Sequence, residues 1–402
     1  MNGKGLLSVD EALAVMLAGA RPVGEIEDVP TLEATGRVLA RAQASTMDVP
    51  PMDNSAMDGY AVRRADIAAP DARLRVAQRI AAGAVGRPLE PGTAARIFTG
   101  APIPPGADAI VMQEFCAADG EHVVVKKVPE PDEWIRRRGF DIRAGSSILE
   151  AGIRLRPQDT GLAASVGIES LPVYRRVRLA LFFTGDELVM PGDPLPPGRI
   201  YNSNRFTLNG LANTFDCEVR DFGIVPDSLA ATREVLRRAA AESDIIVTSG
   251  GVSVGEEDHV RPAVEAEGSL LMWKIAMKPG RPLAFGRVGR ASFIGLPGNP
   301  VSSFVTFLVF VRPFLLKTQG IAQVAPRAIE GRADFAWPQP DPRREFLRVK
   351  WNARGGLDLY PTQDSAVLTS TAWADGLVDN PPNHPIAPGE RVRFLPFAEL
   401  YG

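Results

Sequence analysis

Hydrophobic and polar positions follow two alternating patterns between residues 177 and 317. Short apolar runs at 177–183 and 244–248 are typical of strands buried in a parallel sheet, and 218–225 and 292–296 continue the series. Apolar residues at helical spacing between the strands predict helices at 202–213, 228–241 and 300–317. This alternation predicts a doubly wound, mostly parallel α/β sheet with helices on both faces. Ligands bind such sheets at the carboxyl ends of the strands.

The pattern changes on either side of this region. Helices are predicted at 8–17, where Ser8 and Glu11 fit a capping box, and at 31–39 and 158–166. Short β-type runs with frequent turns predict a β-rich insertion, and alternating residues after about 323 predict a small C-terminal β-barrel. We therefore predict four domains: an elongated, discontinuous N-terminal domain (1–46 with 145–176), the insertion (47–144), the α/β domain (177–322) and the barrel (323–402).

Composition narrows the class of protein. The 402 residues suit two to four units, and a net charge of −3 argues against a nucleic-acid partner. Two cysteines cannot form a disulfide framework, and three histidines exclude a histidine-rich metal centre. The longest apolar stretch, 304–311, is too short to span a membrane. We expect a cytoplasmic protein without a membrane partner.

The most informative motif follows the strand at 244–248. Ser249-Gly250-Gly251 can approach a ligand closely and offer backbone N–H groups to an anion. Three carboxylates, Glu256, Glu257 and Asp258, come directly after it. Because bare carboxylates would repel a phosphate, this pattern predicts a phosphorylated ligand bound together with a divalent ion.

Three further clusters at strand ends carry polar side chains. Asp186 and Glu187 suit a metal, or could cap the following turn; Asp227 could ligate a metal or cap the next helix. The amides of Asn202-Ser203-Asn204 could read a heterocycle, or Asn202 could simply cap a helix.

Two loops could bind anions. Lys274, Lys278 and Arg281 place three cations around one turn, which could otherwise be a solvated basic loop. The loop from Gly295 to Pro300 leads rigidly into a helix N-terminus, a position that favours anions.

Two motifs in the insertion are rich in proline, glycine and acids, and structural turns are the plain alternative for both. The motifs are Asp48-Val-Pro-Pro-Met-Asp53-Asn54-Ser55-Ala-Met-Asp58-Gly59-Tyr60-Ala and Thr99-Gly100-Ala-Pro-Ile-Pro-Pro-Gly-Ala-Asp108. The first is poorly suited to a core or to a regular strand.

With these residues the chain resembles the molybdopterin molybdenumtransferase family, which inserts molybdenum in the last step of molybdenum cofactor synthesis. The Gly-Gly and Pro-Gly-Asn-Pro motifs also occur in molybdopterin adenylyltransferases, so the N-terminal motifs decide between the two. The resemblance covers nearly the whole chain and rests on Asp53-Asn-Ser-Ala-Met-Asp-Gly-Tyr-Ala, Thr99-Gly-Ala-Pro, Thr184-Gly-Asp-Glu-Leu, Ser249-Gly-Gly-Val-Ser-Val-Gly, Lys278-Pro-Gly-Arg-Pro and Gly295-Leu-Pro-Gly-Asn-Pro.

The resemblance implies an elongated homodimer of four-domain subunits, whose α/β domain has the molybdopterin-binding fold. The site would lie between the α/β domain of one subunit and the β insertion of the other. Its substrates would be adenylylated molybdopterin and molybdate, its products molybdenum cofactor and AMP, with Mg²⁺ assisting. Contacts with a molybdopterin adenylyltransferase and with acceptor molybdoenzymes would follow.

The resemblance also implies roles for single residues. Asp58 and Thr99 would reach into the site of the other subunit, and Lys274 and Lys278 would serve the anions. The metal and nucleotide would be served by Glu187, Asp227 and Asp258. The remaining cofactor-binding candidates, from the clusters or the resemblance, are Asp141, Asp186, Ser249, Gly250, Gly251, Ser253, Arg281, Pro297, Gly298, Asn299, Pro300, Arg348 and Ser370.

The chain departs from the family pattern at two points. Arg281 stands where many relatives have lysine, and Asp364-Ser-Ala-Val lacks the usual glycine beside the serine. Two alternative functions stay open, an adenylyltransferase and a non-catalytic carrier or scaffold. A tungsten-selective enzyme is a further alternative, since tungstate and molybdate are nearly isosteric.

Overall fold

A computed structural model of the chain describes residues 6–251 and 259–401. Its centre is a six-stranded sheet, in which four strands run parallel and the two at one edge are antiparallel to their neighbours. The predicted α/β sheet is therefore present as a mixed sheet. Its strand order is Glu218–Val225, Arg178–Thr184, Ile245–Ser249, Ala291–Leu296, Pro282–Val288 and Gly268–Lys274.

Helices cover both faces of the central sheet because its strands are apolar on both sides. In Arg178–Thr184, Leu179, Leu181 and Phe183 pack into one core, while Ala180 and Phe182 pack into another on the opposite face. The first core is closed by Val9–Gly19, Ser203–Thr214 and the helical segment that begins at Pro300, and the second by Leu229–Glu242 and Val260–Glu267.

The long apolar helix contains a change that its sequence did not predict. Instead of one regular helix at 300–317, Pro300–Thr306 and Arg312–Thr318 flank a π-helical segment, Phe307–Val311. Pro313 contributes to this irregularity, since it has no N–H for an α-helical hydrogen bond. By length and apolarity this helix could cross a membrane, but 89% of its apolar window is buried inside the protein, as in the core helix of a soluble protein.

The insertion forms its own six-stranded sheet. One prediction for it was wrong, because Gly59–Val62 lies inside this sheet, paired with Thr93–Ile97 and Ala109–Met112. Gly59 permits the pairing, since a Cβ there would clash with the carbonyl oxygen of Val111. The strand order is Ala109–Met112, Gly59–Val62, Thr93–Ile97, Ala72–Ile80, His122–Val125 and Cys116–Asp119, with 3₁₀ turns at Arg64–Asp66 and Gln113–Phe115.

The segments on either side of the insertion pack together. Ile26–Pro30 pairs with Ser170–Tyr174, and Gln43–Ala44 with Ser147–Leu149. Pro157–Ser165 is helical as predicted, but the predicted helix at 31–39 is only the 3₁₀ turn Thr31–Glu33. A helix cannot continue through residues 31–39, because Gly36 has φ +86°, which a right-handed helix does not allow. Two further short pairs lie elsewhere: Asn54–Ser55 with Ile135–Arg136 in the insertion, and Leu188–Val189 with Ile200–Tyr201 in the α/β region.

The N-terminal helix contributes to the central core rather than to the neighbouring strand pairs. Ser8 caps Val9–Gly19 in the predicted capping box with Glu11. Val9, Ala12 and Met16 are buried in the same core as the central sheet. The domain boundaries themselves stay a prediction.

The C-terminal residues form a sheet that also includes a strand from the basic loop. Met277–Lys278 runs parallel to Arg344–Trp351, and this pairing ties the loop to the C-terminal sheet. An isolated bridge joins Ala333 to Leu357, and closure into a barrel stays a prediction. The order is Met277–Lys278, Arg344–Trp351, Gly376–Asn380, Arg391–Pro396 and Ile329–Arg332, with Leu357–Leu359 beside Arg344–Trp351 and helices Thr369–Trp373 and Phe397–Tyr401.

Candidate active site

One large cavity, of about 1120 Å³, lies at the carboxyl ends of the parallel strands. It is walled by residues of the α/β unit and by a loop of the C-terminal unit. The predicted site residues that the structure brings together in its lining are Glu187, Asp227, Ser249, Gly250, Gly251, Lys278, Arg281, Pro297, Gly298, Asn299 and Pro300.

A buried serine connects three walls of the cavity. Ser249 Oγ accepts a hydrogen bond from Asn204 Nδ2 at 2.8 Å and donates one to the carbonyl oxygen of Pro297 at 2.9 Å. Asn204 Nδ2 also donates to the Gly298 carbonyl at 2.7 Å. The hydroxyl therefore holds the helix Ser203–Thr214 and the Pro297–Pro300 loop against the strand end. Asn202 caps that helix, as the plainer reading of its sequence predicted.

The two glycines after this serine have no room for a side chain. Gly250 and Gly251 have φ of +99° and +63°, a conformation that favours glycine. A Cβ on Gly251 would lie 2.6 Å from Thr184 Oγ1 and 2.5 Å from Val260 Cγ2. The turn is therefore fixed, and its backbone lines the cavity directly.

Carboxylates define one part of the lining. Glu187 and Asp227 follow two neighbouring strands, and both line the cavity. Asp186 does not line it, and the predicted Asp258 and Ser253 lie outside the described residues. Within 6–251 and 259–401, no group of three or more His, Cys, Asp or Glu is arranged to hold a metal. Glu187 and Asp227 are oxygen donors of the type that Mg²⁺ takes from proteins, usually one or two at a time with waters and substrate phosphates as the other ligands.

Cations define another part of the lining. Lys278 Nζ lies 3.4 Å from Asp341 Oδ2 and 3.3 Å from Glu345 Oε1. Arg343, which was not predicted, also lines the cavity and donates to both oxygens of Asp341 at 2.8 Å. The Arg343 guanidinium holds the pKa of Asp341 well below its usual range.

Two other predicted anion-binding residues differ from Lys278. Arg281 lines the cavity, and none of the carboxylates in residues 6–251 and 259–401 lies within ion-pair distance of it. Lys274 ends the edge strand Gly268–Lys274, is exposed and does not line the cavity. The sequence pattern could not show that Arg281 lines the cavity and Lys274 does not, because both lie in the same basic segment.

The loop at 363–368 closes the cavity from the C-terminal side. Asn299 Nδ2 donates to Ser365 Oγ at 3.0 Å, and Val301 N donates to the Ser365 carbonyl at 3.1 Å. These bonds join the loop to the Pro-Gly-Asn-Pro turn. The loop residues in the lining are Gln363, Asp364, Ser365, Ala366 and Leu368.

Arg348 and Ser370 hold this loop from behind and do not line the cavity. Arg348 is 1% exposed, and its guanidinium donates to Ser370 Oγ at 3.2 Å and to the carbonyl oxygen of Asp364 at 3.1 Å. Burial lowers the pKa of Arg348 to about 10, an effect that Asp364 partly offsets. Gln363 is bound from the same strand, through Arg348 N at 2.9 Å.

The predicted residues of the insertion lie outside the cavity of their own chain. Asp58 Oδ1 accepts hydrogen bonds from Thr99 N and Thr99 Oγ1, both at 2.8 Å. The bond from the Thr99 amide is the main reason that the pKa of Asp58 lies below its usual value. Asp141 is exposed on the same unit. The structure therefore joins Asp58 to Thr99 without bringing either to the α/β unit.

Sequence reasoning missed several lining residues besides Arg343. Ile200 and Tyr201 follow no chemical motif, and the loop at 363–368 gave only the weak signal of its unusual Asp364-Ser-Ala-Val segment. Searching for polar motifs at strand ends identifies the lining residues that the central sheet contributes. It does not identify lining residues that come from the C-terminal unit.

Comparison with known proteins agrees with this geometry. Three family models match successive parts of the chain: the MoeA N-terminal region (domain I and II) at residues 7–167, a probable molybdopterin binding domain at 180–317 and the MoeA C-terminal region (domain IV) at 330–397. The crystal structure of the molybdopterin biosynthesis moeA protein from Pyrococcus horikoshii OT3 has a TM-score of 0.86 and 29% identity, covering 98% of this chain and 100% of that chain.

Curated relatives match at higher identity. The molybdopterin molybdenumtransferase of Haemophilus influenzae is 42% identical over 414 residues, covering 99% of this chain and 100% of the relative. The protein of the same name from Nostoc sp. is 40% identical over 308 residues, covering 74% of this chain and 71% of the relative. The chain belongs to the molybdopterin molybdenumtransferase family.

Proposed function

We propose that the protein is an enzyme that inserts molybdenum from molybdate into adenylylated molybdopterin, forming molybdenum cofactor and releasing AMP. The observation that carries this proposal is one cavity whose lining contains carboxylates, Glu187 and Asp227, and cations, Lys278, Arg281 and Arg343. A pyrophosphate and a molybdate are both anions, so a site that brings them together needs such cations.

The glycine turn and the Pro-Gly-Asn-Pro loop would bind the nucleotide part of the substrate. The backbone of Gly250 and Gly251 is open to the cavity and permits the close approach that phosphate oxygens need. Ser249 and Asn204 keep these two segments in register. Their contribution is positioning of the phosphoanhydride rather than transfer of protons.

The acidic part of the lining would hold a divalent ion. Glu187 and Asp227 are hard oxygen donors of the kind that Mg²⁺ prefers, and Asp258, which is outside the described residues, would be the third. When bound, magnesium would supply positive charge to the phosphate oxygens. The protein's own part is to present Glu187 and Asp227 in the lining of the cavity.

The basic part would bind the oxyanion. Lys278 and Arg281 would neutralise molybdate while one of its oxygens, or a water, attacks the phosphoanhydride and AMP leaves. Arg281 offers two parallel N–H groups where a lysine offers a point charge, so its contact with a tetrahedral oxyanion would be bidentate. Molybdenum would be bound by the dithiolene of the pterin and not by a protein cysteine. Cys116 and Cys217 agree with this, since burial raises the pKa of their thiols to about 11 and about 12.

We further propose a cytoplasmic homodimer of four-domain subunits. Asp58 and Thr99 form a compact pair, yet they lie outside the cavity of their own chain. If they are part of the site, a second subunit has to present them, together with Asp141. A molybdopterin adenylyltransferase and acceptor molybdoenzymes would be transient partners, and the C-terminal sheet would close as a barrel.

The assay that tests the proposed function supplies the purified protein with adenylylated molybdopterin, Mg²⁺ and molybdate. Molybdate-dependent AMP release is expected. Consumption of ATP with molybdopterin would instead establish an adenylyltransferase, and tight nucleotide binding without turnover would establish a carrier or scaffold. Replacing molybdate by tungstate in the same assay measures metal selectivity.

A further inference from the structure

Two carboxylates of the C-terminal unit, Asp341 in a loop and Glu345 in the strand that follows it, contact a lysine of the α/β unit at the cavity. Lys278 lines the cavity, and its Nζ lies 3.4 Å from Asp341 Oδ2 and 3.3 Å from Glu345 Oε1. The backbones are joined as well, because Met277–Lys278 pairs in parallel with the start of Arg344–Trp351. This lysine is therefore fixed from a part of the chain that lies more than sixty residues further on.

Glu345 is built into the core of the C-terminal unit. It is 1% exposed, and its Oε2 accepts hydrogen bonds from Trp337 Nε1 at 2.8 Å and from Asn380 Nδ2 at 3.4 Å. Its other oxygen, Oε1, faces Lys278. A buried carboxylate is strongly unfavourable without a cation, so Glu345 and Lys278 depend on each other.

Asp341 is fixed independently of the lysine. Arg343 donates to both of its oxygens, and the backbone N–H of Arg343 also donates to Oδ1 at 3.0 Å. Together, Lys278 and Arg343 balance Asp341 and Glu345, so this group of four is formally neutral. The carboxylates therefore orient the lysine but also reduce its attraction for a free anion.

At 3.3 and 3.4 Å the two contacts of Lys278 are ion pairs, and Glu345 Oε1 accepts no hydrogen bond, so the two carboxylates position the ammonium group through charge. We propose that Asp341 and Glu345 are positioning residues that hold the ammonium group of Lys278 where it can donate to an oxygen of the substrate oxyanion. The proposal rests on the proposed function, and it adds to it the two residues that set the direction of this contact. Neither carboxylate touches the substrate.

The kinetics of the Glu345→Gln variant show whether Glu345 positions Lys278 for turnover or only changes how strongly the site binds anions. The amide keeps the shape of the carboxylate and removes its charge, so Lys278 loses its orientation and gains attraction for anions. We expect kcat for molybdate-dependent AMP release to fall by about 10-fold or more, with a KM for molybdate that is unchanged or lower. An unchanged kcat, or any rise in the KM, overturns the proposal. Asp341→Asn is the second variant, with the same expected pattern, and the exposed Glu330→Gln of the same sheet is the control.

Thermal unfolding tests the interaction without reference to activity. Lys278→Met and Glu345→Gln should each lower the Tm, and the double variant should lose less than the sum of the two shifts, since the partner charge is already gone. Additive shifts would show that the two side chains do not interact and would overturn the proposal. If the wild-type protein releases no AMP, the proposed function fails. The comparison of the single and double variants still tests whether Glu345 and Lys278 interact.

Discussion

Asn204 Nδ2 donates a hydrogen bond of 2.8 Å to the hydroxyl of Ser249, joining the first turn of one helix to the end of a neighbouring strand. The same amide also bonds the Gly298 carbonyl at 2.7 Å. One side chain thus connects the glycine turn to the Pro-Gly-Asn-Pro loop, the two segments that would hold the nucleotide. The relative position of these two segments therefore depends on the side chain of Asn204.

Asn204→Ala should weaken both the fold and the site. Ser249 Oγ keeps its bond to Pro297 but loses a donor, and the Gly298 carbonyl loses its amide partner, at a cost of about 1–3 kcal/mol in the free energy of unfolding. Nucleotide affinity should fall too, because the turn and the loop are no longer joined. Urea unfolding and nucleotide titration measure the two effects, with the exposed Asn213→Ala of the same helix as control. Equal stability of the two variants would contradict the role of Asn204.

Gly251→Ala should be far more damaging than Gly298→Ala. The first needs a positive φ, which costs about 1–2 kcal/mol for alanine, and places a Cβ against Thr184 and Val260. At Gly298 the nearest atom to a new Cβ, Gly250 Cα, is 3.9 Å away, so the fold accommodates it. Thermal unfolding should show a lower Tm only for Gly251→Ala. If both variants unfold alike, the turn is not constrained as described.

Asp227→Asn should raise the magnesium concentration that turnover requires. The amide retains the size of the carboxylate but removes the charge that attracts the ion, so half-maximal AMP release should need about 10-fold more Mg²⁺. A magnesium titration at saturating substrate measures this shift. Glu242→Gln, an exposed carboxylate of the same unit, should titrate as wild type. An unchanged requirement in Asp227→Asn would remove this residue from the metal site.

Acid should weaken the contacts that Asp244 makes with Arg175 and Arg178, whereas these contacts should be intact at neutral pH. Burial raises the pKa of Asp244, but hydrogen bonds from Arg175 at 2.7 and 2.9 Å and from Arg178 N lower it by more, so the pKa of Asp244 in the folded protein lies below its usual value. A depressed carboxylate pKa stabilises the fold above the unfolded pKa, and this contribution is lost as pH falls through the folded pKa.

The Asp244→Asn variant isolates this contribution. Its Tm should be lower than that of the wild type at pH 7, and the difference should shrink as the pH falls below about 4. Melting curves between pH 7 and pH 2 give the comparison. A Tm difference that stays constant over this range would show that ionisation of Asp244 does not stabilise the protein.

Local pattern predicted the α/β part of the molecule well. Glu218–Val225 was predicted with its observed limits, and the helices beginning at Ser203 and Leu229 differ from prediction by one residue at each end. Each of these elements has one face or both faces in the core, so its periodicity reflects burial.

Failures of prediction occurred where structure depends on distant residues. Gly376–Asn380 has too short an apolar run to mark a strand, yet every one of its residues is buried between neighbours. The strand Met277–Lys278 exists because Arg344–Trp351 lies beside it. For the same reason the sequence identified Lys278 as a cation for anions but not the carboxylates that hold it.

Simultaneous measurement of AMP release and of cofactor formation tests the central claim most directly. The purified protein would be mixed with adenylylated molybdopterin, Mg²⁺ and molybdate, and the product passed to a cofactor-free molybdoenzyme. The account predicts AMP release that requires molybdate and that matches the active molybdoenzyme formed, with both lost in Asp227→Asn at limiting Mg²⁺. AMP release that is independent of molybdate, or nucleotide binding with no reconstitution, would contradict it.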